Sequence, residues 1–280
     1  MNTKRIQNSW VIAQNTILKE LRNKTLIGLA IFTVIIIFII NGSLDYLYLK
    51  TSDMTATGGA SPIDTFFGSK FSVFYTMINF WNGLLATIIG VGAIQSDREH
   101  GALYQILALP IHKLDYLLGR VVGTWLIVVG YYIASMLLGI IIFALFSSKI
   151  ELDYPLFLSF PVTTLAIFTY ILCAMLISSF LNRSLALIAT MFTMWVASIA
   201  NSSFATISIS EIFSEMGMLK TLGIIPHFLL PRAGTINNIA SGILKDSLPP
   251  LNYPLEATHF LLSTALLIFI NYKIFSAQEK

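Results

Sequence analysis

Apolar and polar positions along this chain fall into long blocks rather than a short alternation. Charge-free apolar runs cover residues 25–44, 71–96, 121–148, 154–182 and 184–210, with a shorter one at 257–272. Crossing a hydrocarbon core takes roughly 20 apolar residues at about 1.5 Å per residue. The pattern therefore predicts an all-α integral membrane protein with six transmembrane helices.

The polar blocks carry their own periodicities. In residues 1–24, Ile6, Trp10, Ala13, Ile17 and Leu21 recur at three- and four-residue spacing, while Lys4, Arg5, Lys19 and Arg22 lie off that stripe. This predicts an amphipathic helix lying in the membrane interface, with Trp10 at headgroup depth and its cations toward anionic lipid. Residues 25–280 then form one six-helix transmembrane domain. Its first outer loop, from Asp45 to about Lys70, reads as irregular because of the Gly- and Ser-containing stretch at 52–62. Asn182 and Arg183 leave so short a connection that the fourth and fifth spans are antiparallel neighbours. Gly119 and Gly123 have the small-xxx-small spacing of close helix contacts. The segment 207–254 holds Pro226, Pro231, Pro249, Pro250 and Pro254. It predicts short helices on, or partly re-entering, the outer face, with Pro226 breaking the apolar patch 222–230.

Composition agrees with the blocks. The chain is 56% hydrophobic with a mean hydropathy of +0.78, more apolar surface than a water-facing fold can hide. No small-x-small cleavage site follows the first run, so a removed signal peptide is disfavoured. Placing both termini in the cytoplasm puts Lys4, Arg5, Lys19, Arg22, Lys24, Arg98, Lys113, Arg120, Arg183, Lys273 and Lys280 inside. It leaves Lys50, Lys70, Lys149, Lys220, Arg232 and Lys245 outside, the bias that inner loops favour. The net charge of +3 is that bias and calls for no nucleic-acid partner. The lone Cys173 allows no internal disulfide and no cysteine metal cluster.

Chemistry inside the spans is sparse. Their interiors hold no Asp, Glu, Lys or Arg, which argues against an ion-coupled carrier or a voltage sensor. Asn79, Asn82, Tyr131, Tyr132, Thr163, Thr164, Ser178, Ser179 and Asn201 either line a path or satisfy one another between helices. His259 is expected to take a hydrogen bond near the outer end of the last span. The four histidines form no HExxH, and no Gly-rich loop ends in Gly-Lys-Ser/Thr. The chain is thus read as no enzyme, with no cofactor and no metal site. Energy for uphill transport has to come from a partner.

The polar stretch from Ser96 to Arg120 interrupts two spans and holds Asp97, Arg98, Glu99, His112, Lys113, Asp115 and Arg120. After Gly101, the residues Leu103, Ile106, Leu107 and Leu109 give a short apolar helix face that Pro110 stops, and Leu114, Leu117 and Leu118 begin the next span. A short helix held between two spans is a lever. The run of Glu99, Gly101, Leu103, Leu107, Pro110, Gly119 and Arg120 resembles the signature of ABC-2 type permeases, the membrane subunits of ATP-binding-cassette exporters. Ala102 departs from the Thr or Ser often found there. The likeness extends over the whole chain in outline: leader helix, six spans, this loop, and an irregular outer segment. It implies that the loop couples to a separate cytoplasmic ABC ATPase subunit, that a second permease copy or a similar chain completes the pathway, and that the protein is an exporter in the cell membrane. A membrane scaffold without transport, and a facilitator that needs no ATPase, are the competing readings.

Overall fold

The computed structural model describes residues 3–54, 70–99, 101, 111–146, 154–204, 218–245 and 247–277. Among these residues the chain forms nine helices: α1 (Thr3–Leu21), α2 (Lys24–Met54), α3 (Lys70–Glu99), α4 (Lys113–Phe146), α5 (Tyr154–Ser178), α6 (Arg183–Phe204), α7 (Met218–Leu229), α8 (Ala233–Leu244) and α9 (Tyr253–Ala277). Six of them, α2 to α6 and α9, are long and apolar enough to span a membrane, as the charge-free runs predict. Ile31, Ile39, Leu145, Ile188 and Leu262 are exposed on their flanks. In water such surface would be a liability, but hydrocarbon solvates it at no cost.

The spans are not equally enclosed. α3 and α5 form the centre, while α2 and α9 lie at the edge. Small residues allow the central contact: a Cβ on Gly90 would stand 2.9 Å from the Ala174 Cβ, so the two backbones approach as closely as glycine permits. Buried polar side chains on α3, α4 and α5 meet between helices. The Tyr75 hydroxyl and Thr163 Oγ1 lie 2.8 Å apart, and Asn82 Nδ2 donates to Ile78 O at 2.8 Å and to Ser135 Oγ at 3.4 Å. Tyr131 donates to Leu29 O at 2.8 Å, joining α4 to α2. Of the two roles open to the neutral polar residues, these take the interhelical one.

Two boundaries differ from the sequence reading, and the short helices expected between the fifth and last spans are present. α2 continues past Asp45 to Met54, because residues 45–54 contain no Gly or Pro to end it. Pro226 does not break its patch: it lies inside α7, near the C-terminal end, where a missing N–H costs one intrahelical bond and the helix still reaches Leu229. The outer segment contains two ordered short helices, α7 and α8. They are fixed to α6 and α9 by His227–Asn201 (2.9 Å), His259–Phe228 O (3.1 Å) and the Arg232–Glu256 ion pair (2.6 Å). His259 thus takes the hydrogen bond expected of it.

The short turn at 179–182 joins α5 to α6. Asn182 caps α6, its Oδ1 accepting the Leu185 N–H at 3.0 Å. At the same end of the bundle, His112 stacks on Tyr272 and Tyr116 on Phe275. The start of α4, the α5–α6 turn and the last turns of α9 therefore share one end of the molecule.

Candidate coupling site

The interlocked set of side chains at that shared end begins with α1. Its buried positions are Ala13 and Thr16, with Ile12 beside them, whereas Ile6, Trp10 and Leu21 are about half exposed. α1 thus has two faces. Of the predicted stripe, Ile6, Trp10 and Leu21 stay outside, available to lipid, while Ala13 is buried and Ile17 packs against the core. A face of smaller residues lies along the start of α4. Gly119 and Gly123 make that contact possible: a Cβ on Gly119 would come within 2.7 Å of both Ile12 Cβ and Ser9 O, and one on Gly123 within 2.8 Å of Ala13 O. The small-xxx-small spacing serves helix packing as expected, and its partner is α1.

The cations of α1 also differ from expectation. Arg5 and Lys19 do not face lipid alone, because each has a carboxylate within the protein. Arg5 Nε reaches Asp115 Oδ1 at 3.2 Å and Lys19 Nζ reaches Asp97 Oδ1 at 2.8 Å. Asp97 and Asp115 are each 2% exposed, and an ion buried to that degree has to be paired. Burial, and then the charge of Arg120, hold the Lys19 ammonium below its usual pKa.

Asp97 is the centre of a wider set. The Arg120 guanidinium forms an ion pair with Asp97 Oδ2, and the Tyr116 hydroxyl donates to the same oxygen at 2.6 Å. Arg120 Nη1 donates to Thr16 Oγ1 at 3.1 Å, and Thr16 in turn donates to Ile12 O at 2.8 Å. Three helices, α1, α3 and α4, thereby meet at one carboxylate. The last turn of α3 also holds the end of α5: Gln95 Nε2 donates to Ser178 O (3.1 Å) and Leu181 O (2.6 Å), and Arg98 Nη1 to Ser179 O (3.4 Å). These are terminal carbonyls that a helix end leaves without intrahelical partners.

The residues singled out in the sequence divide accordingly. Gly119 and Arg120 are buried, one as a contact surface and one as an ion-pair member. Glu99 is exposed at the end of α3. Gly101 follows in the left-handed region, φ +66°, with its N–H closing on Arg98 O at 3.1 Å. Leu103, Leu107 and Pro110, with the short apolar helix read there, lie outside the described residues. Sequence reasoning missed Asp97, Lys19, Tyr116 and Thr16 as partners. The available signal was the Tyr116–Arg120 spacing of four, which puts both on one face of α4.

Among the described residues no group of three or more His, Cys, Asp or Glu could hold a metal ion. Cys173 is buried within α5.

A family model described as ABC-2 family transporter protein matches residues 10–278. Comparison with curated proteins gave no match. The match takes in all six spans, most of α1 and the whole interlocked end, so the chain belongs to the ABC-2 family of transporters, as the membrane-spanning, non-catalytic permease subunit of an ABC transporter in the cell membrane.

Proposed function

We propose that this permease exports its substrate, that a separate cytoplasmic ABC ATPase docks on the loop from Glu99 to Pro110, and that the loop, Leu103 and Leu107 included, is the lever that docking moves. In this reading both termini are cytoplasmic and two permease copies, identical or similar, form the pathway. ATP binding closes the ATPase dimer and swings the loop, and hydrolysis resets it. Gly119 and Arg120 serve as positioning residues that clamp α1 behind the lever, without touching the ATPase.

The observation that carries the proposal is the attachment of the last turn of α3. Through Asp97, Gln95 and Arg98 it is bonded to α1, α4 and the α5–α6 turn, so a displacement at Glu99 loads several helices at once. Coupling of this kind needs contacts that differ in strength between two states. A charged cluster with alternative partners meets that requirement.

The test is affinity purification from the native host in mild detergent, beside a Glu99→Lys, Gly101→Pro variant. An ABC ATPase that accompanies the native chain and is lost from the variant supports the docking site. An ATPase retained by the variant with unchanged ATP-driven transport removes the loop from the mechanism. Absence of any ATPase beside an intact native chain would instead favour a scaffold or an unassisted facilitator.

A further inference from the structure

A cleft of about 190 Å³ opens beside the clamp, between the α1–α2 junction, α3 and the start of α6. Its rim carries Glu20, Glu99 and Arg183, and its inner wall is made by Leu26, Leu29, Ile88 and Ile89. Gly92 adds no side chain to that wall, and the Arg183 guanidinium lies 3.8 Å from where its Cβ would be. Arg183 and Glu99 are exposed at the mouth. The charged rim stands at the end of the spans and the apolar wall extends into them, an ordering that matches the polarity gradient from headgroup to acyl chain.

We infer that this cleft binds the headgroup of an amphiphile carrying both an ammonium and a phosphate. Two carboxylates and one guanidinium stand on the rim, and the Lys19 ammonium, paired with Asp97, donates to the lining Ser96 Oγ at 2.7 Å, so the site carries both signs of charge. A purely anionic headgroup would meet Arg183 but be repelled by Glu20 and Glu99. A headgroup with both charges satisfies both sides. Arg183 presents the planar donor fork suited to phosphate oxygens, and carboxylates accept best from an ammonium that still has N–H groups. The volume falls below the roughly 300 Å³ at which pockets begin to enclose whole drug-sized ligands. The cleft therefore takes the headgroup alone. The chains lie outside it, in the surrounding hydrocarbon. This site requires neither the ATPase nor transport.

The full-length protein in nanodiscs of phosphatidylethanolamine, phosphatidylcholine and phosphatidylglycerol, examined by native mass spectrometry, tests the assignment. Retention is expected in the order ethanolamine, choline, glycerol. Arg183→Gln removes a charge-assisted contact and lowers ethanolamine-lipid retention by about tenfold. Leu29→Trp fills the cleft and lowers retention of all three lipids. Glu20→Gln shifts preference toward phosphatidylglycerol, a change of selectivity that mere damage to the fold does not produce. Equal retention of the three lipids by the native chain, or native retention in both Arg183→Gln and Leu29→Trp, overturns the site. Where an ATPase co-purifies, loss of the bound lipid during ATP turnover marks it as cargo. Retention through turnover marks it as a resident membrane lipid, and either result keeps the site.

Discussion

Asp97 of α3 and Arg120 of α4 form an ion pair in which the residues are only 2% and 5% exposed, and α1 covers it. Truncating one member of a buried pair leaves the other charged and without its counterpart, at a cost of about 3–5 kcal/mol. The members are not equivalent here. Asp97→Asn orphans Arg120 while releasing Lys19 toward water. Arg120→Met leaves Asp97 with Lys19 and the Tyr116 hydroxyl. The melting temperature of the purified chain should therefore fall most for Asp97→Asn, less for Arg120→Met, and least for Lys19→Met, because the Lys19 side chain is 41% exposed. The double variant Asp97→Asn, Arg120→Gln should recover part of the loss. Equal melting temperatures for Asp97→Asn and Lys19→Met would contradict this ranking.

The contact of α1 with α4 can be tested by volume alone. Gly119→Val places a branched side chain where a Cβ is already 2.7 Å from Ile12 Cβ and from Ser9 O. Overpacking of this sort costs about 1–3 kcal/mol, and the least constrained partner, the terminal helix, is the one that yields. Limited trypsin digestion should then cut at Arg5 and Lys19 far faster than in the native chain. Gly130→Ala, on the same helix with nothing within 4 Å of its Cβ, should leave the digestion rate unchanged.

The spans were legible because membrane burial imposes a one-dimensional rule: about 20 apolar residues without charge. The clamp was not, because the partners that bind α1 to it lie 77 to 110 residues away, as Lys19 with Ser96 and Arg5 with Asp115 do. From the sequence, Asp97 and Arg120 look like the polar ends of two apolar runs, which water would solvate. Only the placement of α1 turns them into interior groups. The same placement explains the α1 face. An amphipathic pattern identifies the largest apolar residues, but the tightest contact went to Ser9, Ile12, Ala13 and Thr16, which α4 approaches closely because Gly119 and Gly123 have no side chain. Proline was misread for a related reason: its local rule is set by one lost hydrogen bond, and α7 supplies enough others around Pro226.

His227 makes the contact of α7 with α6 sensitive to acid. Burial, and then the charges of Arg232 and His259, lower its pKa from 6.5 to about 4, so it is neutral in the folded protein at neutral pH. Its Nδ1–H donates to Asn201 Oδ1 at 2.9 Å. Between pH 6.5 and about 4 the unfolded chain binds a proton that the folded one does not. The stability contributed by neutral His227 is therefore complete above pH 6.5 and falls as pH drops toward 4. Melting temperature measured at pH 7.5 and 5 should decrease on acidification, and less so in His227→Gln. An identical pH dependence in that variant would assign the effect to other groups.

Gly101 separates conformation from contact in the proposed lever. Its φ of +66° is open to glycine, tolerated by asparagine and strained for other residues, yet a Cβ added there meets nothing within 4 Å. Substitution therefore perturbs the backbone turn after Glu99 without any clash. The left-handed conformation costs a residue with a Cβ about 1–2 kcal/mol, more when it is β-branched. If the turn sets the pose of the lever, ATP-driven transport per ATP hydrolysed should decline in the order Gly101→Asn, Gly101→Ala, Gly101→Val, with membrane insertion unchanged in all three. An order set by side-chain size, with asparagine worse than alanine, would instead mean that the position touches the ATPase directly. Reconstitution of each variant with the co-purified ATPase, reading transport and hydrolysis in the same vesicles, distinguishes a hinge from a docking contact.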